Sequence, residues 1–325
     1  MAAIMPPEWA KQDWLWIGFP HLAEEWPGFL EPAQEQIAAF ANAVAESGQE
    51  VRLLVRDAAN EGRARALVNE HVTLERRTYG DIWLRDTGPL VVVEDGERRA
   101  MRFAFNGWGG KYEMPGDLRV GEEIARDAGL AVAHSPMILE GGAIDTDGTG
   151  LCVTTEQCLL NPNRNPGMSR AQIEAELAAR LGFTRVVWLG EGLVNDHTDG
   201  HVDNLARFVG ENRLVVPEAT GRDDPNAAIY EDAARRAGEA GIEIVRIPSP
   251  GLTLRDRMVE PASYVNFAIT SNLVVVPTFG SPHDEDGVAA IAALFPDRKT
   301  VGLRADAVLA GGGGFHCASQ QMPAV

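Results

Sequence analysis

The sequence predicts a mixed α/β fold built from repeated helix-plus-strands units, and three observations carry that prediction. Five segments place apolar residues at helical spacing: 36–48, 118–130, 170–182, 229–241 and 286–296. A short β-rich run follows each of them. The helix starts recur with a period of about 60 residues after one enlarged first unit, the size expected of a repeated supersecondary unit. Five such units suggest a ring of α/β modules in one domain spanning residues 1–325. The rival is a doubly wound sheet, which alternating helices and strands also build. No linker, low-complexity tract or compositional break divides the chain.

In the first unit, QIAAFANAVAESG (36–48) closes on a glycine and VRLLV (51–55) reads as a strand. The second has PLVVV (89–93), then LRVGEEIARDAGL (118–130), then AVAHSPMIL (131–139). In the third, GLCVTT (150–155) precedes RAQIEAELAARLG (170–182) and RVVWLG (185–190). The fourth runs NRLVVP (212–217), IYEDAARRAGEAG (229–241), IEIVRI (242–247), and the fifth NLVVVP (272–277), DGVAAIAALFP (286–296), TVGLRA (300–305). Four of the five helices finish near a glycine, which suits a left-handed C-terminal residue.

Apolar residues make up 45% and charged residues 23% of the 325, the balance of a globular protein with a large core. No apolar run approaches the roughly 20 residues that span a bilayer. The start, MAAIMPPEWAKQDW, has no basic region followed by an apolar one, so no secretory signal is expected. Three cysteines do not make a disulfide framework, and a reducing cytoplasm is the expected setting. The net charge is −18, from 47 acidic against 29 basic residues, which disfavours nucleic acid or an anionic membrane as partner. It suits a small cationic ligand, although acidity also serves solubility alone. A homodimer is compatible with the sequence, which fixes no oligomeric state.

The unusual polar residues keep phase with the repeat. Asp86 falls in IWLRDTGP, Glu140 in ILEGGAIDTDG, His201 and Asp203 in NDHTDGHVDN, and Cys317 in GGGGFHCASQQ. Successive separations are about 60 residues or twice that, which in a ring would bring the groups to a common axis. Asp86, after Ile82, Trp83 and Leu84, reads as a carboxylate at a buried strand end, which needs a partner; the plainer reading is a surface turn. Glu140 reads either as a solvated turn residue or as a carboxylate that orients a histidine. Asp196, His197, Asp199, His201 and Asp203 first suggest a metal. The segment Thr198-Asp199-Gly200 reads as a turn, however, and the HExxH pattern is absent. If residues 201–205 are extended, His201 and Asp203 share a face and can act on one ligand. Cys152 and Cys158 sit in apolar strand-like surroundings as packed thiols. Cys317, behind four glycines that permit close backbone approach, is the candidate nucleophile, with a histidine and carboxylates elsewhere in the chain. Unpaired carboxylates raise a thiol's pKa, so such a site makes sense when the substrate brings the positive charge. A guanidinium, with planar N–H donors, fits paired carboxylates.

The set WLRDTGP, FNGWGGKY, LEGGAI, TDGHVDN and GGGGFHCASQQMP resembles the agmatine deiminase family of guanidine-modifying enzymes, close to the bacterial peptidylarginine deiminases, along essentially the whole chain. The resemblance implies a five-fold pseudosymmetric α/β propeller (the pentein fold). It implies Cys317 as nucleophile, His201 as general acid/base, Glu140 as the carboxylate supporting that histidine, and Asp86 and Asp203 as guanidinium holders. No metal or organic cofactor is implied. Trp83, Trp108 and Lys111 are candidates to line the pocket, with aromatic faces against a cation; the other reading of Trp108, between glycines, is a packing residue in a loop. Two departures stand out: His197 where family members often carry an acid, and Gly314-Phe315 where they carry asparagine-isoleucine. Asp196, or another acid, is expected to replace the charge missing at His197 and hold an amine. The alternatives are a deiminase of free or peptidyl arginine, a metal-dependent hydrolase on the Asp/His cluster, and a non-catalytic polyamine binder.

Overall fold

The computed structural model describes residues 3–325. Its strands form five sheets of one scheme plus a small hairpin, Leu254–Arg255 with Met258–Val259. In each of the five, one strand pairs antiparallel with a second, and the second pairs parallel with a third reached through a helix. Leu90–Glu94, Glu97–Ala104 and Ala131–Ile138 are joined this way through helix Asp117–Asp127. Ile144–Thr146, Leu151–Thr155 and Arg185–Leu189 repeat the pattern through Arg170–Leu181. Arg207–Gly210, Arg213–Glu218 and Glu243–Pro248 follow through Ala227–Glu239. Ala268–Ile269, Leu273–Thr278 and Lys299–Arg304 follow through Asp284–Ala292. The last sheet joins the two ends of the chain. Ser319–Pro323 runs antiparallel to Gln12–Gly18, Leu15 opposite Gln321, and Gln12–Gly18 runs parallel to Glu50–Val55 through helix Leu30–Glu46. Among the described residues, then, no single doubly wound sheet forms.

The helices follow from their apolar spacing. Leu30–Glu46 buries Ala33, Ile37, Phe40, Ala41 and Val44, one face of an α-helix. Arg170–Leu181 starts on a capping box, Ser169 with Gln172, and stops where Gly182 turns left-handed at φ +76°. Middle strands are covered on both faces, so they read as continuous apolar runs. In Leu273–Thr278 all six residues are buried, and each buried valine contributes roughly 1.5–3 kcal/mol relative to exposure. The enlarged first unit holds a further helix, Ala58–Leu67, capped by the Asp57 carboxylate, and a fourth strand, Val72–Arg76.

This repeated topology places the polar residues. In four of the five units they lie just ahead of the strand that pairs antiparallel. Asp86 precedes Leu90–Glu94, Glu140 precedes Ile144–Thr146, Asp203 precedes Arg207–Gly210, and Cys317 precedes Ser319–Pro323. Two local expectations fail. Asp86 sits on a helical turn, Leu84–Thr87, and not at a strand end, because Thr87 N and Gly88 N bond back to Trp83 O and Leu84 O at 3.1 and 2.8 Å. Residues 202–204 form a 3₁₀ turn and are not extended: Val202 O accepts from Leu205 N and Ala206 N at 2.9 and 2.7 Å.

Candidate active site

One cavity of about 100 Å³ has Cys317 in its wall together with Asp86, Trp83, Trp108, Tyr112, Thr198 and His197; Glu25, Asp81 and Ala310 to Gly312 complete it. Cys317 is 5% exposed. The Asn266 carboxamide grips it twice: Nδ2 donates to Sγ at 3.0 Å, and Oδ1 accepts from Cys317 N at 3.3 Å. The glycine run permits this closeness, since a Cβ on Gly314 would lie 2.6 Å from Asn266 Oδ1. Asp203 Oδ2 lies 3.4 Å from the sulfur. Burial first, then the charges of Asp203 and Asp86, push the Cys317 thiol well above its ordinary pKa.

His201 is fully buried, and neither ring nitrogen has a hydrogen-bond partner among the described residues. Nδ1 lies 3.8 Å from Asp86 Oδ1 and Nε2 lies 4.0 Å from Glu140 Oε2. Burial outweighs the pull of Asp203 and drives the ring's pKa down to about 3, so it is neutral. Gly142 makes the centre of the site possible. Its N–H donates to Asp86 Oδ1 at 2.9 Å, and a Cβ there would meet His201 Nδ1 at 2.6 Å and Asp203 Oδ2 at 3.1 Å.

The carboxylates are shifted in different directions. Asp86 accepts from Trp108 Nε1 at 2.9 Å, yet burial and the neighbouring Asp203 push it well above its usual range. Asp203 goes the other way: burial raises it, but His316, His201 and Arg207 outweigh that and hold it low. Glu140 is raised by burial although Arg164 Nε donates to its Oε1 at 2.7 Å; its Oε2 has no hydrogen-bond partner among the described residues. Trp108, at φ +53°, packs edge-on against Phe105 and presents its N–H to Asp86.

Other sequence candidates lie elsewhere. Asp196 is outside the cavity wall: its Oδ1 accepts from Thr198 N at 2.8 Å and from Thr198 Oγ1, and its Oδ2 from Asn204 Nδ2 at 3.1 Å. Lys111 donates to Asp199 Oδ1 and His197 O at 2.6 and 2.8 Å, tying down the 197–199 loop. Asp199 also accepts from Arg164 Nη1 at 2.8 Å. The five acids and histidines of NDHTDGHVDN therefore do not converge on one point. Among the described residues, Glu140, Cys158 and His201 are the group whose donor atoms lie within 4.8 Å of one another, and the Arg164 guanidinium on Glu140 opposes a cation there.

Among the charged and amide groups of the site, sequence reasoning missed four: Asn266, Arg164, Glu25 and Asp81. Asn266 had a signal. It precedes Ala268–Ile269, the strand that pairs antiparallel with Leu273–Thr278, and so fills the one unit between Asp203 and Cys317 that carried no assigned residue. Arg164 lies in the turn-rich NPNRNPG, where nothing marks it. Asp81 was passed over beside Asp86; burial, with Asp117 and Glu25 nearby, pushes its pKa up to about 7.

A mixed α/β protein of five like-built sheets, with a buried thiol held against acidic groups, is the class that fold and site define. Comparison with known proteins narrows it. A model of the Porphyromonas-type peptidyl-arginine deiminase family matches residues 4–323, and the chain belongs to that family. An agmatine deiminase from Stutzerimonas stutzeri is 35% identical over 98% of this chain and 95% of its own. The structure is similar to that of the agmatine deiminase of Enterococcus faecalis, with a TM-score of 0.93 at 28% identity, covering 99% of this chain and 96% of that one. A cysteine-to-serine variant of C. jejuni agmatine deiminase with substrate bound gives a TM-score of 0.92 at 28% identity and the same coverage.

Proposed function

We propose that this chain is an agmatine deiminase, which hydrolyses the guanidinium of agmatine to N-carbamoylputrescine and ammonia through a covalent intermediate on Cys317. The five like-built units are read as one domain, a five-fold pseudosymmetric propeller, working in the cytoplasm without a metal or organic cofactor. One observation carries the reading: a buried thiol has Asp203 at 3.4 Å and Asp86 close by, an arrangement unfavourable for a thiolate until a cation arrives.

In this reading Asp86 and Asp203 hold the guanidinium and set its central carbon against Sγ. The bound cation offsets the carboxylates, and the thiol proton passes to neutral His201 as the S–C bond forms. His201 then protonates the leaving nitrogen, and ammonia departs to leave an amidino-thioether. Water attacks that carbon, giving a proton to His201; the C–S bond breaks, the thiol regains its proton, and a urea is released. Glu140 Oε2, at 4.0 Å, supports the imidazolium formed on the way. Trp83 and Trp108 give the wall an aromatic lining that suits a cation.

The acid missing at His197 has a replacement other than Asp196. Glu25 and Asp81 stand in the same cavity wall as Cys317 and give the amine of agmatine two carboxyl partners. The α-carboxylate of arginine would meet the same two groups and be repelled, which supports the decarboxylated substrate. Rapid acid quench of a reaction with agmatine, followed by mass analysis of peptides, tests the intermediate: an amidino adduct on the Cys317 peptide is expected. Turnover with no adduct at any quench time contradicts it.

A further inference from the structure

His316 adjoins the thiol in sequence, yet it is not in the cavity wall. It is 2% exposed, with Nδ1 2.7 Å from Asp203 Oδ2 and Nε2 2.8 Å from Glu8 Oε2. Carboxylate oxygens on both sides can only accept, so each ring nitrogen faces an acceptor, and the two contacts can both be hydrogen bonds only when both nitrogens donate. Glu8, ahead of the first strand, is itself held firmly. Its Oε1 accepts from Ile269 N at 2.7 Å, its Oε2 accepts from Arg207 Nη2, and Arg85 Nη2 lies 3.8 Å away. Arg207 Nε donates in turn to Asp145 Oδ1 at 3.0 Å. Three carboxylates (Glu8, Asp145, Asp203) thus meet two guanidinium groups (Arg85, Arg207) and the His316 ring, and Cys317 stands beside the last carboxylate.

The role of Asp203 makes this arrangement matter. Its Oδ2 is shared between His316 and the Cys317 sulfur, while its Oδ1 is buried without a hydrogen-bond partner among the described residues. We propose that His316 is a positioning residue: an imidazolium, anchored by Glu8, that fixes Asp203 by Oδ2, leaves Oδ1 for the substrate cation, and moderates the repulsion between Asp203 and the Cys317 thiolate. The inference rests on the function proposed above. A neutral side chain at this position takes one cation away from Asp203 and leaves Arg207 as the remaining compensation beside the sulfur.

The test compares native protein with His316→Gln, which can still donate a hydrogen bond but carries no charge. The first readout needs no substrate: the pH dependence of Cys317 alkylation by iodoacetamide. Loss of a cation at this range should move the midpoint up by about one pH unit or more. The second is steady-state kinetics with agmatine, where KM should rise about tenfold or more, because a carboxylate that binds substrate loses the partner that orients it. An alkylation profile that superimposes on the native one, in a variant with native circular dichroism, overturns the proposal. Absence of turnover in the native protein would instead overturn the functional reading and leave the alkylation result standing. Should the variant not fold, ¹⁵N-histidine-labelled native protein at pH 6 decides. One ring with two slowly exchanging N–H protons is expected, and no such ring contradicts the proposal.

Discussion

Asp203 Oδ2 lies 3.4 Å from Cys317 Sγ, so the thiol rests against a carboxylate that opposes its ionisation. The thiol is therefore held back by charge until a cation is bound. Two alkylating agents expose the effect. A cationic haloacetamidine should inactivate the native protein faster at neutral pH than neutral iodoacetamide does, relative to their rates with a free thiol. In Asp203→Asn one opposing charge is gone, so the iodoacetamide midpoint should fall by about one pH unit and the preference for the cation should shrink. Equal relative rates in the native protein would remove the electrostatic argument.

Gly142 tests the geometry. A Cβ at this position would sit 2.6 Å from His201 Nδ1, 3.0 Å from Asp86 Oδ1 and 3.1 Å from Asp203 Oδ2. Gly142→Ala should fold, because the clash is with side chains of the site, but kcat/KM should fall by about two orders of magnitude, as small displacements of reacting groups do. Near-native kcat/KM would mean the three side chains do not need their present spacing.

The folded ring of His201 is driven to about 3 from an ordinary 6.5. A depressed pKa means the folded state resists a proton that the unfolded state accepts. The stability this group contributes is thus complete above pH 6.5 and is lost as pH falls towards 3. Asp86 and Glu140, whose pKa values are raised, act in the opposite sense over part of that range. The comparison must therefore be with His201→Gln: in urea titrations the native protein should lose stability relative to the variant between pH 6.5 and 4. A constant difference across that window would contradict a buried neutral histidine.

Glu25 and Asp81 should set substrate preference without touching the chemistry. Glu25→Gln and Asp81→Asn are expected to raise KM for agmatine about tenfold each, with kcat little changed, since the lost ion pair serves binding. The carboxyl of Asp81, pushed up to about 7, is ionised above that pH and neutral below it. KM for agmatine should accordingly fall as pH rises through 7, and the Asp81→Asn profile should be flat there. A kcat collapse in either variant would place these groups in the reaction itself.

The legible and the hidden parts of the molecule differ for physical reasons. Helices such as Leu30–Glu46 were readable because a full apolar stripe is buried. Ala58–Leu67 was not: it buries little beyond Asn60 and Ala64, and it rests on the Asp57 cap. The repeat, and with it a mixed α/β fold, could be read from period alone. What period does not give is backbone type at a single residue, which is why the turns at Asp86 and Asp203 were misread. Arg164 was hidden because its residue type does not announce chemistry and its partner Glu140 lies 24 residues away; Asn266, 51 residues from Cys317, was marked only by its phase in the repeat. Lys111 looked like a pocket residue from its neighbours, but its charge is taken by Asp199.

The most direct measurement is ammonia release from agmatine, free arginine and a peptide ending in arginine, by native protein and Cys317→Ala, each with and without chelator. The account predicts turnover of agmatine by the native protein, unaffected by chelator and abolished in Cys317→Ala, with arginine and the peptide at least tenfold poorer as their carboxylates meet Glu25 and Asp81. Agmatine turnover that survives in Cys317→Ala, or that chelator abolishes, would contradict it.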